Sequence, residues 1–108
     1  MSKEFKPKGL ASEHLEFIMN RLNSVLKSRS SAKVYCFGSR AIGTERKYSD
    51  LDLWIEASPD LTDSEIAKLK DAFLESDLPI KIDIVTPKTC LPDFLHNIEK
   101  SKKLWYET

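Results

Sequence analysis

Residues Asp50 to Glu56 carry the strongest constraint in the chain. Leu51, Leu53 and Ile55 alternate with Asp50, Asp52 and Trp54, the period of a strand with one face buried and the other turned away from the core. One face demands a cover of helices. The other sets two carboxylates side by side. The chain has 108 residues, the size of a single domain. It reads as one domain over 1–108, with 1–10, which holds Pro7 and Gly9, as a flexible polar lead-in.

The remaining elements follow from periodicity. Leu15, Ile18, Leu22, Val25 and Leu26 share a helix face, which predicts a helix from about Ser12 to Ser28, capped by Ser12. Lys33 to Phe37 is β-branched and aromatic, a short buried strand ended by Gly38-Ser39. A short helical piece starts at Ser39, and residues 43–49 form a polar loop. Thr62-Asp63-Ser64-Glu65 matches a capping box and opens a helix to about Ser76, with Ile66, Leu69, Phe73 and Ala72 inward. Ile80 to Val85 is a third strand, which places Asp83 opposite Ile80, Ile82 and Ile84. Pro92 suits the first turn of a last helix. Leu104-Trp105-Tyr106 reads as either a short strand or a docking tail. The predicted class is α/β, a small sheet with helices packed mainly on one face.

Composition excludes several functions. Lys+Arg and Asp+Glu are both 17, and this zero balance argues against a general nucleic-acid binder or a membrane-surface protein. No apolar run reaches the roughly 18–20 residues that span a bilayer. Cys36 and Cys90 have no metal or redox spacing, which points to a reducing cytoplasm.

Asp50, Asp52 and Asp83 stand on the polar faces of two strands. If those strands are neighbours in register, three carboxylates converge and repel, so the site calls for a cation. A hard ion with oxygen ligands, Mg²⁺ above all, suits it and bridges to substrate phosphates. Upstream, Gly38-Ser39 sits where a strand meets a helix, and amides at a helix start attract anions. The pattern is Gly-Ser, ten residues, Asp-x-Asp, then a third Asp on a later strand. At residue frequencies of about 5–7%, the first part arises by chance in about one such chain in a thousand.

This text, Gly38-Ser39-Arg40-Ala41-Ile42-Gly43 followed by Ser49-Asp50-Leu51-Asp52-Leu53, resembles the nucleotidyltransferase superfamily of DNA polymerase beta, and in its length the minimal nucleotidyltransferases. The resemblance implies a mixed sheet. It implies that Gly38 and Ser39 bind nucleotide phosphates, with Arg40 reaching toward the triphosphate. Asp50, Asp52 and Asp83 would be catalytic and hold Mg²⁺, two ions in all, and Asp83 would help deprotonate an acceptor hydroxyl. The reaction would move a nucleoside monophosphate, AMP from ATP, onto that hydroxyl and release pyrophosphate. The resemblance also implies a partner, a helical HEPN-type toxin encoded nearby, with this chain as the antitoxin that modifies it. Two other readings compete: the nucleotide-binding subunit of a transferase for a small molecule such as an antibiotic, and an antitoxin that only masks its partner. The short chain has little room for an acceptor domain, which favours a partner in all three. Self-association is left open.

Several residues have plainer readings. Arg46 and Lys47 read as a solvated basic pair. His14 and His96 lack ligand spacing. Trp54 shares a face with the aspartates and reads as packing.

Overall fold

The structure, a computed structural model, describes residues 5–108. Residues 1–4 of the expected lead-in lie outside the described residues. Residues 5–10 are packed rather than loose. Phe5 and Leu10 rest against the core, Pro7 is buried, and the Lys8 amide donates to the Arg40 carbonyl at 2.9 Å.

The elements run α1 (Ser12–Leu26), β1 (Ser31–Phe37), α2 (Ser39–Ile42), β2 (Leu51–Ser58), α3 (Asp63–Leu74), β3 (Ile82–Val85), α4 (Pro92–Ser101) and β4 (Lys103–Glu107). Ala11, not Ser12, is the N-cap of α1 and makes no side-chain cap bond. The expected capping box of α3 is present, with Thr62 and Glu65 bonded reciprocally. The segment 104–106 belongs to strand β4 and is not a free tail.

The sheet order is β3-β2-β1-β4, with β2 and β3 parallel and the other pairs antiparallel. This is a mixed sheet. Helices α1 and α3 bury Ile18, Leu22, Leu26, Ile66, Leu69 and Phe73 with Leu51, Leu53 and Ile55. The predicted hydrophobic face of β2 is therefore the floor of the main core. Helix α4 lies on the opposite face, where Ile98 packs with Phe37 and Trp54. Trp54 is buried there, and its indole N–H donates to Glu56 at 2.8 Å. Among the described residues no helix is long and apolar enough to cross a membrane.

One polar tie joins the ends of α1 and α3 at the far end of the sheet. The Arg29 guanidinium, just past α1, forms a two-pronged ion pair with Glu65 in the first turn of α3. It also donates to the carbonyls of Val25, Pro59 and Asp60. Hydrogen bonds from Arg29 and from the Thr62 amide hold the Glu65 carboxyl down at about 2, from an ordinary 4.5. Its folded value lies below its unfolded one, so the pair stabilises fully above pH 4.5 and loses that effect as pH falls toward 2. Glu65→Gln is expected to lower the melting temperature at pH 7 by roughly 4 °C, about 1 kcal/mol after solvent screening. In thermal melts across pH, the gap between wild type and variant should narrow progressively below pH 4.5 and close near pH 2.

Candidate active site

Three chain segments meet at one end of the sheet. Strand β1 ends there, and β2 and β3 begin there. The antiparallel register pairs Phe37 with Asp52, and the parallel register pairs Asp52 with Asp83. The two strands are thus neighbours in the alignment needed to bring Asp52 and Asp83 side by side. Asp50 lies one residue before β2 rather than within it, and is exposed.

Asp52 is the half-buried member of the group. Its carboxyl is pushed up to about 6, from an ordinary 3.8, first by burial, then by the charges of Asp83 and Asp50. Asp52 and Asp83 are close enough to share a hydrogen bond when one is protonated. Below the pair, the Cys36 thiol is buried and pushed up to about 12, by desolvation above all and then by the Asp52 charge. It is an inert core group at neutral pH.

Gly38 forms the turn after β1, with φ 76° and ψ −156°, a conformation essentially open to glycine alone. Its lack of a side chain has a second use. A Cβ at Gly38 would lie 2.6 Å from Oδ2 of Asp52, so the turn and the carboxylate occupy adjoining space. Ser39 opens α2, and the Gly38 carbonyl accepts from the amides of Ala41 and Ile42. The first amides of a helix have no partner within it, which leaves this turn suited to anions next to the carboxylates.

Arg40 departs from expectation. It is fully buried, and its guanidinium donates to the carbonyls of Ser49, Lys8, Arg46 and Lys47 at 2.7–3.3 Å. With four of its five N–H groups committed to backbone, it clamps the loop 43–49 and segment 5–10 instead of reaching for a triphosphate. The resemblance points Arg40 toward the triphosphate, but sequence alone does not say which way a four-residue helix turns its side chains.

Ser101 was not legible as a site residue. The last residue of α4, it accepts a hydrogen bond from the Gly38 amide at 3.1 Å. It ties the turn to the helix on the opposite sheet face, 63 residues away in sequence. No local motif announces such a contact.

Among the described residues, no three His, Cys, Asp or Glu side chains close into a ready metal cage. The donor set still fits a hard cation. All three groups are carboxylates, their mutual repulsion is visible in the raised Asp52, and Mg²⁺ takes only one or two protein carboxylates with water and phosphate filling its shell.

Comparison with known proteins gives a consistent answer. Residues 20–108 match the family described as polymerase beta, nucleotidyltransferase. The chain belongs to this nucleotidyltransferase family. It is 37% identical over 91 residues, 84% of its own length and 77% of the relative's, to the probable protein adenylyltransferase MntA of Haemophilus influenzae. A crystal structure of a toxin–antitoxin with AMP-PNP superposes with TM-score 0.63 at 23% identity, over 82% of this chain and 73% of the other. A rebuilt structure of tri-AMPylated Shewanella oneidensis HEPN toxin in complex with MNT antitoxin gives 0.55 at 20% identity, over 86% and 72%. These two likenesses carry the fold.

The site generates two predictions. The folded value of Asp52 lies above its unfolded one, so without a divalent cation its penalty is absent below pH 3.8 and complete above about 6. Asp52→Asn is expected to raise the melting temperature of metal-free protein at pH 7.5, by about 1 kcal/mol or roughly 4 °C. Added Mg²⁺ should raise the wild type and leave the variant almost unmoved. In contrast, Gly38→Ala combines a positive φ with the clash at Asp52, and is expected to destabilise by about 2 kcal/mol or more in denaturant melts.

Proposed function

We propose that this nucleotidyltransferase moves AMP from ATP onto a hydroxyl of a HEPN-type helical protein encoded beside it, and so acts as an antitoxin. The observation that carries the reading is the placement of Asp52 and Asp83 as register partners, with the Gly38-Ser39 turn against Asp52. Supporting it are the MntA relative and the nucleotide-bound and AMPylated complexes that share the fold.

Each residue then has a role. Gly38, whose own amide is taken by Ser101, lets the phosphates of ATP approach the backbone closely, and Ser39 with the free amides at the start of α2 holds them. Asp50, Asp52 and Asp83 would hold Mg²⁺, which would neutralise the crowded carboxylates and the charge developing on the phosphates. Asp83, on the side of Asp52 away from the phosphate turn, accepts the proton of the acceptor hydroxyl. The hydroxyl oxygen forms a bond to the α-phosphorus, the bond from that phosphorus to the bridging oxygen breaks, and pyrophosphate leaves. The protein oxygen keeps AMP as a phosphodiester. Arg40 serves by fixing the loop that carries Ser49 and Asp50. The two free thiols, Cys36 and Cys90, agree with a reducing cytoplasm as the site of action.

The test is transfer of label from α-labelled ATP to the HEPN-type protein in the presence of Mg²⁺. Asp50→Ala and Asp52→Ala are each expected to reduce transfer by about a thousandfold, in the range of a lost electrostatic contact in the transition state. Label on a small hydroxylated molecule instead, or neutralisation of the partner undiminished in both variants, would overturn the proposal.

A further inference from the structure

A cleft of about 590 Å³ opens along the outer edge of β3, between that strand and α3. Residues 78–83 run consecutively along it, and it reaches Asp50 and Asp83. It therefore shares two of the three carboxylates with the site. The phosphate turn lies on the opposite side, because β1 and β3 flank β2. A triphosphate held at Gly38-Ser39 leaves the β3 side of Asp52 free.

The chemistry of the cleft selects its occupant. Strand β3 is at the edge of the sheet. The Lys81 carbonyl faces inward and accepts from the Leu51 amide, so by alternation Ile82 turns its own N–H and C=O outward. An extended peptide can pair with such an edge. The walls offer Tyr48 and Leu74, which are 68% and 71% exposed. Two cations, Lys70 and Lys81, line the same cleft. Among the described residues neither makes an ion pair. Asp50 and Asp83 balance these two lysines in the same lining. Once the divalent cation of the proposed site neutralises the carboxylates, unpaired lysines beside a free strand edge and apolar walls suit an extended acidic peptide.

From these contacts we infer that the β3 cleft binds the acceptor segment of the partner protein, an extended stretch with acidic residues near the hydroxyl that receives AMP. The inference rests on the proposed transfer to a protein hydroxyl. Lys70 and Lys81 meet the acidic side chains, Leu74 and Tyr48 flank the segment, and its hydroxyl arrives beside Asp83. The nucleotide stays on the β1 side.

Two variants test this, the double variant Lys70→Glu/Lys81→Glu and the surface variant Leu74→Glu. Both alter exposed side chains, and thermal melts check that they fold. Three quantities are measured with the HEPN-type protein encoded beside this chain: its Kd by calorimetry in the presence of a non-hydrolysable ATP analogue, KM for it in label transfer, and Kd for the analogue alone. The charge reversal is expected to weaken Kd and raise KM for the protein by about tenfold or more, and Leu74→Glu by a smaller factor. Affinity for the analogue should stay within about twofold, below the 1.4 kcal/mol that makes a tenfold change. Weakened analogue binding would show that the nucleotide fills the cleft and would overturn the inference. So would unchanged protein binding in both variants. If wild type binds the protein yet transfers no label, the proposed reaction fails while the calorimetric comparison still decides the cleft.

Discussion

Asp52 stands between two neighbours that no ordinary packing would put together. On one side is a backbone turn so close that a single added carbon would lie 2.6 Å from its carboxylate oxygen. On the other is Asp83, a second carboxylate at the matching position of the next strand. Burial and these like charges push the Asp52 carboxyl up to about 6. A core that needed only stability would hold an apolar residue here, since an unpaired buried charge is expensive. Under the proposed function, a cation and the phosphates of the nucleotide complete the balance of charge here. The rest of the molecule works to keep these groups in place.

That work is divided among three elements. Arg40 spends its guanidinium on four carbonyls drawn from loop 43–49 and segment 5–10. A buried Arg satisfied by backbone is rigid, because removing any one acceptor would leave a buried donor unpaired. Its bond to the Ser49 carbonyl sits next to Asp50, so the loop that delivers the exposed carboxylate is pinned by a residue of α2, two positions after Gly38. Ser101 pins the same turn from the other side of the sheet, and Ile98 anchors its helix against Phe37 and Trp54. The far end is secured separately by Arg29 and Glu65. Stability and chemistry are thus placed at opposite ends of the strands.

How much of this was legible depends on how far each signal reaches along the chain. The period-two alternation of β2 is local, and it matches the structure, with Leu51, Leu53 and Ile55 in the core and Asp52 away from it. The capping box at Thr62 is equally local and appears as read. Boundaries moved where periodicity has nothing to say: β1 begins at Ser31, β3 begins at Ile82, and Asp50 falls outside its strand. The direction of Arg40 is not legible because its partners are carbonyls, which every residue possesses and which leave no mark in a sequence. Ser101 was invisible for a related reason. Its meaning comes from a contact across 63 residues, and nothing nearby distinguishes it from any serine at a helix end. The packing of residues 5–10 leaves no local signal either: a polar stretch with Pro and Gly reads as loose, and its anchor, the same Arg40, lies more than thirty residues on.

The mixed order of the sheet is the remaining physical requirement. The Gly38-Ser39 turn follows β1, Asp52 is near the start of β2, and Asp83 is near the start of β3. An antiparallel β1–β2 pair brings the end of one strand to the beginning of the next, as Phe37 opposite Asp52 shows. A parallel β2–β3 pair then brings the beginning of β3 to the same edge. Reversing β3 would carry Asp83 to the far end of the sheet, toward Arg29 and Glu65, and leave Asp52 without its partner. The parallel pair needs a crossover, and α3 supplies it while covering the Leu51 face. The helix that closes the hydrophobic core is therefore also the connection that allows two carboxylates, thirty-one positions apart in the chain, to face each other.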